Sequence, residues 1–404
     1  MAAIVPFAAL RPTPETVRRV AAVPYDVVNS AEAEALAAGE PLSFLRVSRP
    51  EIECPPGTHI YSDAVYAKAA DNFDRLRRAA PLVVESAPSL YIYRLHMAAH
   101  VQTGVAACFA VDEYARDLIK KHEKTRPDKE DDRTRHILTL RAQTGPVFLT
   151  YRGSPAVDAV VAQVTAGPPL FDFTAVDGVR HEVWRVPDSH TAPLAAAFAA
   201  VPALYIADGH HRAASAWRTH QALEGEGPGE HERFLAVAFP DAQMQVLPYH
   251  RVVRDLQGQT AEAFRAALAQ RFAVTAGGPA TPARKGIIAM YLAGAWWSVD
   301  LGPMPPGLTP DAGLDVSRLQ DGILTPLLGI ADIRTDKRID FVGGIRGTGE
   351  LERLVDNGQF AVAFSLFPVS VDDLMRISDA GGIMPPKSTW FEPKLRDGVL
   401  SHLV

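Results

Sequence analysis

The chain has 404 residues, of which 47% are hydrophobic and 22% charged, with a formal net charge of −6. That composition excludes wholesale disorder and leaves room for about two or three domains. The mild acidity disfavours binding of duplex nucleic acid through a global field, and two cysteines exclude both a disulfide framework and a four-cysteine zinc site.

The stretch beginning at Met1 lacks a basic region and has too short an apolar run for a signal peptide. The longest apolar run, 192–207, is broken by Pro193 and Pro202 and falls short of a membrane span. A cytoplasmic protein is expected, with neither membrane nor nucleic acid as partner. The 32 prolines exceed the usual ~5% and point to many pinned loops.

In chain order, 23–28 is expected to be a short extended piece that ends in a turn at Asn29-Ser30. A helix follows over 31–39, with Ser30 as its N-cap and Gly39 as its stop. Val65, Ala69, Phe73 and Leu76 recur at helical spacing and predict a helix over 62–80. Strands are expected at 81–85, 90–95 and 101–111, the last two pairing. The segment 120–136 carries seven basic and five acidic residues, and a helix is expected over 128–144. A strand at 146–151 and a helix at 155–164 come next. A hairpin is predicted across Asp177-Gly178, joining 170–176 to 179–186. The Ala-rich segment 190–200 is expected to be helical. A strand at 203–207 then meets the Asp208-Gly209 turn, which opens a helix over 210–223. Strands are expected at 234–239 and 245–253, followed by a helix at 260–270, a strand at 272–275 and β structure within 286–301. A Pro/Gly loop spans 302–313. The last part reads as a helix at 316–328, a strand at 339–342, a helix near Glu350, a strand at 360–366, a helix at 371–380 and a Pro/Lys-rich tail. The uneven alternation argues for an α+β or mixed α/β protein, not a doubly wound sheet. The expected organisation is a core over 1–255 and a C-terminal α/β region over 256–404.

Three segments carry chemistry. At 206–212 a strand runs through Asp208 and Gly209 into a helix that starts with His210, His211 and Arg212. Unpaired N–H groups at a helix start attract an anion, and Gly209 permits close approach to the backbone. Cationic side chains are disfavoured there on dipole grounds, so three together suggest a bound anion. The same residues also suit an ordinary Asp-Gly turn with surface histidines. His210 and His211 point about 100° apart, which weakens a shared metal site.

The second segment holds Lys121, His122, Glu123, Lys124, Thr125 and Arg126. Its carboxylates mixed with cations suit a magnesium-phosphate site, and Glu123 among cations would stay ionised, as a base must. A solvated helix laced with ion pairs is the plainer alternative. The third segment contains Met384, Pro385, Pro386, Lys387, Ser388 and Thr389. Pro386 occupies the second glycine position of G-x-x-x-x-G-K-S, and it has no N–H to help form a phosphate cradle, so this is not a P-loop. Lys387, Ser388 and Thr389 could still contact phosphate, or form a plain loop. The glycines at 343, 344, 347 and 349 lack dinucleotide-binding spacing and read as a turn.

Taken together, Pro6-Phe7 with Leu10-Arg11, then Pro24-Tyr25-Asp26-Val27-Val28, then His122-Glu123-Lys124-Thr125, then Asp208-Gly209-His210-His211-Arg212, then Met384 to Thr389 with Phe391 and Pro393-Lys394-Leu395, resemble the prokaryotic family labelled domain of unknown function 1015. Five blocks in order, spread from residue 6 to near 400, are far more specific than any one of them. The Asp208–Arg212 block also looks like the phosphate box of the ParB/sulfiredoxin superfamily, which includes kinases of free L-serine. The resemblance implies a ParB/sulfiredoxin-like nucleotide-binding core and a phosphotransferase that moves a phosphoryl group from ATP or ADP, with Mg2+, to the hydroxyl of L-serine or a similar small alcohol. Alternatives are a nucleotide-binding switch of the ParB type and a phosphatase or nucleotide hydrolase.

On that implied reading, Gly209, His210, His211 and Arg212 hold the phosphates. Lys124, Arg126 and Lys387 neutralise transferring charge, and Thr125, Ser388 and Thr389 donate hydrogen bonds. Glu123 is the base and Asp208 the magnesium ligand or second acid, two roles that could be exchanged. Asp26 binds the amino group of serine. The three blocks are expected to surround one pocket; the donor nucleotide and the number of subunits stay open.

Overall fold

The structure is a computed structural model that describes residues 3–80 and 82–404. The expectations at Met1 and at Pro81, the first residue of the 81–85 strand, fall on residues outside the described ones. The chain forms two compact units. The first comprises residues up to 121, 125–244 and 393–404; the second comprises 122–124 and 245–392.

The first unit is built on a nine-stranded sheet among the described residues. Its strands lie in the order Ile119–Lys120, Leu204–Asp208, Val147–Tyr151, Arg233–Pro240, His100–Ala110, Tyr91–Met97, Arg180–Arg185 and Phe171–Thr174, with Ile4–Val5 alongside His100–Ala110. Leu204–Asp208 is parallel to Ile119–Lys120, and Val147–Tyr151 is parallel to Arg233–Pro240; the other pairs are antiparallel. The protein is therefore mixed α/β, as the alternation of elements implied. The helices Pro155–Thr165, Asp188–Ala199 and His210–Leu223 cover apolar sheet residues such as Phe109, Leu149 and Ile206. Ala213 and Ala216 of the last helix are fully buried in that core, their small side chains letting the helix sit close to the strands.

A second cluster in this unit buries Phe44, Phe73 and Leu76. Its helix Asp63–Ala79 follows the predicted spacing. The preceding helix begins at Ser30 with Asn29, not Ser30, as its cap: the Asn29 side chain accepts from the Glu32 N–H and Glu32 returns a bond to the Asn29 N–H. The 23–28 segment forms turns and not a strand, and among the described residues 82–85 the strand is confined to Val83–Val84.

The charged helix runs over Pro127–Leu140, four residues short of the expectation. It stops because Arg141 takes a left-handed conformation, φ +51°. Ala142–Gln143 then pairs with His402–Leu403 of the C-terminal segment. That segment, 393–404, is a strap laid into the first unit. Asp397 and Ala22 exchange backbone bonds at 2.9 and 3.2 Å, Ser401 pairs with Leu10, and Gly398 N–H donates to Thr144 at 3.0 Å.

The second unit holds a six-stranded antiparallel sheet in the order Ala273–Ala276, Ala295–Asp300, Ile287–Leu292, Val362–Ser365, Tyr249–Val253 and Ile339–Gly343. The single strand expected at 245–253 is split at Pro248. Gln245–Leu247 pairs with Trp390–Glu392, and Tyr249–Val253 enters the sheet. The 316–328 helix exists as two short α turns, Asp315–Leu319 and Thr325–Leu328, around a wider turn at Gln320–Leu324. No helix among the described residues is long and apolar enough to cross a membrane.

Candidate active site

In the first unit the strand Leu204–Asp208 carries a register irregularity between Ile206 and Asp208 against Val147–Tyr151. Such bulges re-aim side chains at strand ends. Asp208 follows, then Gly209 at φ +92°, ψ +31°, and the helix begins at His210. A residue with a Cβ is strained at that φ. A Cβ there would also lie 2.8 Å from Nε of Arg212. The close approach expected at Gly209 is thus made by the chain's own Arg212.

Arg212 folds back across the helix start. One terminal nitrogen donates to the Pro146 carbonyl, and the other lies 3.1 Å from Oδ2 of Asp208 and 3.8 Å from Oδ2 of Asp26. The side chain is 9% exposed, and its Nε–H has no hydrogen-bond partner among the described residues. Lys394, delivered by the strap, places Nζ 3.3 Å from the same Asp208 oxygen and is 10% exposed. Burial by itself would raise the Asp208 pKa. Lys394 and Arg212 overcome this and hold the carboxyl well below its usual range. Burial opposes the charge of Arg212, but Asp26 and Asp208 keep its pKa above the ordinary value. Asp208 is therefore a fixed anion and a poor proton acceptor, so of its two expected roles only the metal ligand suits it. A half-exposed carboxylate that stays ionised fits Mg2+, which is commonly held by one or two carboxylates together with substrate phosphates.

Asp397 completes this cluster. It is 3% exposed, and its Oδ1 has no hydrogen-bond partner among the described residues. It lines a cavity of about 40 Å³ with Tyr25, Arg133, His136, Gly145 and Arg212. Gly145 is required there, since a Cβ would come within 2.5 Å of Asp397 Oδ1. Burial pushes the Asp397 pKa up to about 7, with Arg212 opposing and Asp26 reinforcing the rise. The folded value lies above the unfolded one near ~3.9, so the stabilising proton is held at low pH and lost as pH rises through about 7. We expect the stability of Asp397→Asn relative to the parent to rise by roughly 1–3 kcal/mol between pH 5 and pH 8. His136, its pKa lowered to about 4 by burial, titrates in both proteins and cancels in the difference. Denaturant melts of the pair at both pH values check this; an equal difference at the two would contradict it.

The other expected contacts are placed as follows. His210 is buried, 6% exposed. His211 uses Nε2 to accept the Arg126 N–H at 3.0 Å. That nitrogen therefore fixes the turn before the Pro127–Leu140 helix and is not a phosphate donor. Arg126 is 70% exposed and pairs with both oxygens of Asp128, at 3.1 and 2.8 Å. The Thr125 hydroxyl donates to Glu130.

In the second unit, two of the sequence blocks meet. Met384 N–H donates to the His122 carbonyl at 2.8 Å, which ties the segment of Glu123 and the exposed Lys124 to the loop of Lys387. Ser388 is buried and its hydroxyl donates to the Pro385 carbonyl at 2.6 Å, which closes the loop. Thr389 follows, half-buried. Lys387 is exposed at φ +59°, a conformation uncommon outside glycine, with Nζ 5.4 Å from the centre of the Tyr249 ring.

Arg251, unremarked in the sequence, holds that loop. It is 1% exposed and donates to the carbonyls of Lys387 at 2.9 Å and Pro386 at 3.3 Å. Burial lowers its pKa to about 10. The sequence also gave no role to Lys394 or Asp397. Lys394 stands in the Pro393-Lys394-Leu395 block of the family resemblance, and for Asp397 the signal was charge set among apolar residues, Leu395, Val399 and Leu400.

Fold and site together define a mixed α/β protein with an anion-suited helix start, framed by Asp26, Asp208, Arg212, Lys394 and Asp397. The family model described as protein of unknown function DUF1015 matches residues 4–317, and the chain belongs to that family. A search of curated proteins found no match. Among solved structures, the chain is similar to a free serine kinase in complex with AMP at 12% identity, covering 72% of this chain and 91% of that one, with a TM-score of 0.37. It is similar to a conserved hypothetical protein from Pyrococcus furiosus at 14% identity, covering 74% and 95%, TM-score 0.37. It is also similar to SbnI with a C-terminal truncation from Staphylococcus aureus at 13% identity, covering 72% and 85%, TM-score 0.38. Likenesses this distant do not bear on the chemistry.

Proposed function

We propose that the protein is a small-molecule kinase that transfers a phosphoryl group from ATP or ADP to the hydroxyl of L-serine or a similar small alcohol. The observation that carries this reading is the convergence of two buried cations, Arg212 and Lys394, on one oxygen of Asp208 beside the start of the His210–Leu223 helix. Helix-end amides and buried cations suit phosphate oxygens. The five sequence blocks supply the acceptor, since members of the family they resemble are similar to free L-serine kinases in proposed activity.

Phosphoryl transfer needs positioning and charge neutralisation more than covalent chemistry from the protein. Asp208 would hold Mg2+, which would neutralise phosphate oxygens. Arg212 and the His210–Arg212 amides would orient the phosphates. Asp26 would take the amino group of serine. Lys124 and Lys387 would offset transferring charge, with Thr389 donating a hydrogen bond. Glu123 would accept the serine hydroxyl proton as the oxygen attacks the terminal phosphorus and the bond to the leaving nucleotide breaks. Incubating pure protein with L-serine, Mg2+ and ATP or ADP tests this. O-phospho-L-serine formed in equal amount to nucleotide consumed is expected. Nucleotide loss without phosphoserine would replace the reading with a hydrolase, and binding without turnover with a regulatory switch.

A further inference from the structure

We propose that Lys394 is a phosphate-binding residue of the anion site, a second cation delivered by the C-terminal strap; this rests on the nucleotide-binding reading above. The strap, 393–404, belongs to the first unit and is anchored at several points. Arg396 is 2% exposed and pairs with Asp177 and, through Nε, with His181 at 3.2 Å. His402 pairs with Glu230 at 2.9 Å and is 2% exposed. Between these anchors and the helix start, Lys394 is held with Nζ 3.3 Å from Asp208 Oδ2, while Arg212 reaches the same oxygen at 3.1 Å.

Arg212 and Lys394, both about nine-tenths buried, meet at one oxygen of the less buried Asp208. A buried lysine is costly without a partner. Asp208 stabilises Lys394 as an ammonium at the mouth of the site. A phosphate at the helix start would lie between Arg212 and Lys394 and give each an oxygen, with Asp208 then facing a cation that arrives with the nucleotide. A second, independent observation is that the buried Nε–H of Arg212 has no acceptor among the described residues. A purely structural lysine would need only Asp208, and a single-cation site would need only Arg212.

The test measures binding of ADP and of adenosine by calorimetry in the full chain, for the parent, Lys394→Met, Lys394→Gln and Lys394→Arg, with thermal melts alongside. A charge-assisted contact predicts roughly 10- to 100-fold weaker ADP binding in Lys394→Met and Lys394→Gln, adenosine binding unchanged, and recovery of most ADP affinity in Lys394→Arg. Equal ADP affinity in all four proteins overturns the proposal. So does a parallel loss for ADP and adenosine, which marks a structural role. If Lys394→Met melts before measurement, Lys394→Gln and Lys394→Arg decide. If the parent itself binds no ADP, the kinase reading falls, and this proposal with it.

Discussion

Replacing Arg212 with methionine is expected to destabilise the first unit by about 3–5 kcal/mol at pH 8, because it leaves buried Asp397 uncompensated and removes a cation from the partly exposed Asp208 and Asp26. Three acids depend on this guanidinium: Asp208 at 3.1 Å, Asp26 at 3.8 Å, and buried Asp397, whose pKa it lowers. The loss should shrink at pH 5. Without Arg212 the Asp397 pKa rises further, so Asp397 takes up a proton and sheds its charge, whereas at pH 8 it must be buried charged or drive unfolding. Arg212→Lys should recover only part of the stability. An ammonium cannot reach the Pro146 carbonyl and both carboxylates from one planar group. Denaturant melts of both variants at pH 5 and pH 8 check this. A loss under 1 kcal/mol, or one independent of pH, would mean that the cluster is solvated and not an enclosed charge network. Nucleotide binding should disappear in Arg212→Met even at pH 5.

The second large effect concerns Glu123. If it accepts the hydroxyl proton, Glu123→Gln should lower kcat for phosphoserine formation by about 10²- to 10⁴-fold, with the melting temperature and ADP affinity little changed. Glutamine keeps the shape and the hydrogen-bonding reach but cannot take a proton. A variant that retains kcat within threefold would remove Glu123 from the chemistry. The base would then have to be sought elsewhere, and not at Asp208, whose cations hold it ionised and weakly basic.

What could be read from the sequence was what short-range physics dictates. The helix over 210–223 was expected at those bounds because Asp208-Gly209 forces a turn and Ala213, Ala214 and Ala216 favour a packed helix. The 171–185 hairpin followed from Asp177-Gly178 in the same way. What could not be read depends on partners distant in the chain. Arg141 ends its helix in a left-handed conformation that nothing about arginine announces, and the strand after it exists only because His402–Leu403 comes back to pair with it. Pro248 was visible, but its effect was not: it divides 245–253 between two sheets. The site shows the same division. Asp208, Gly209 and Arg212 announced themselves through adjacency. Thr125, His211 and Ser388 looked like phosphate donors by residue type, and the fold gives each of them a partner within the protein, local for Thr125 and Ser388 and distant in the chain for His211. Asp397, and the role of Lys394, stayed hidden because a Pro- and Gly-punctuated tail resembles solvated chain until its packing is known.

The central claim is that the start of the 210–223 helix, with Arg212 and Lys394, binds nucleotide phosphate. A crystal structure of the full chain with ADP and Mg2+ tests it most directly. The account predicts a phosphate oxygen within hydrogen-bond distance of Arg212 and of the amides of His210 to Arg212, with Lys394 Nζ turned from Asp208 toward the nucleotide. Phosphates bound elsewhere, with the Arg212–Asp208–Lys394 contacts unchanged, would contradict it.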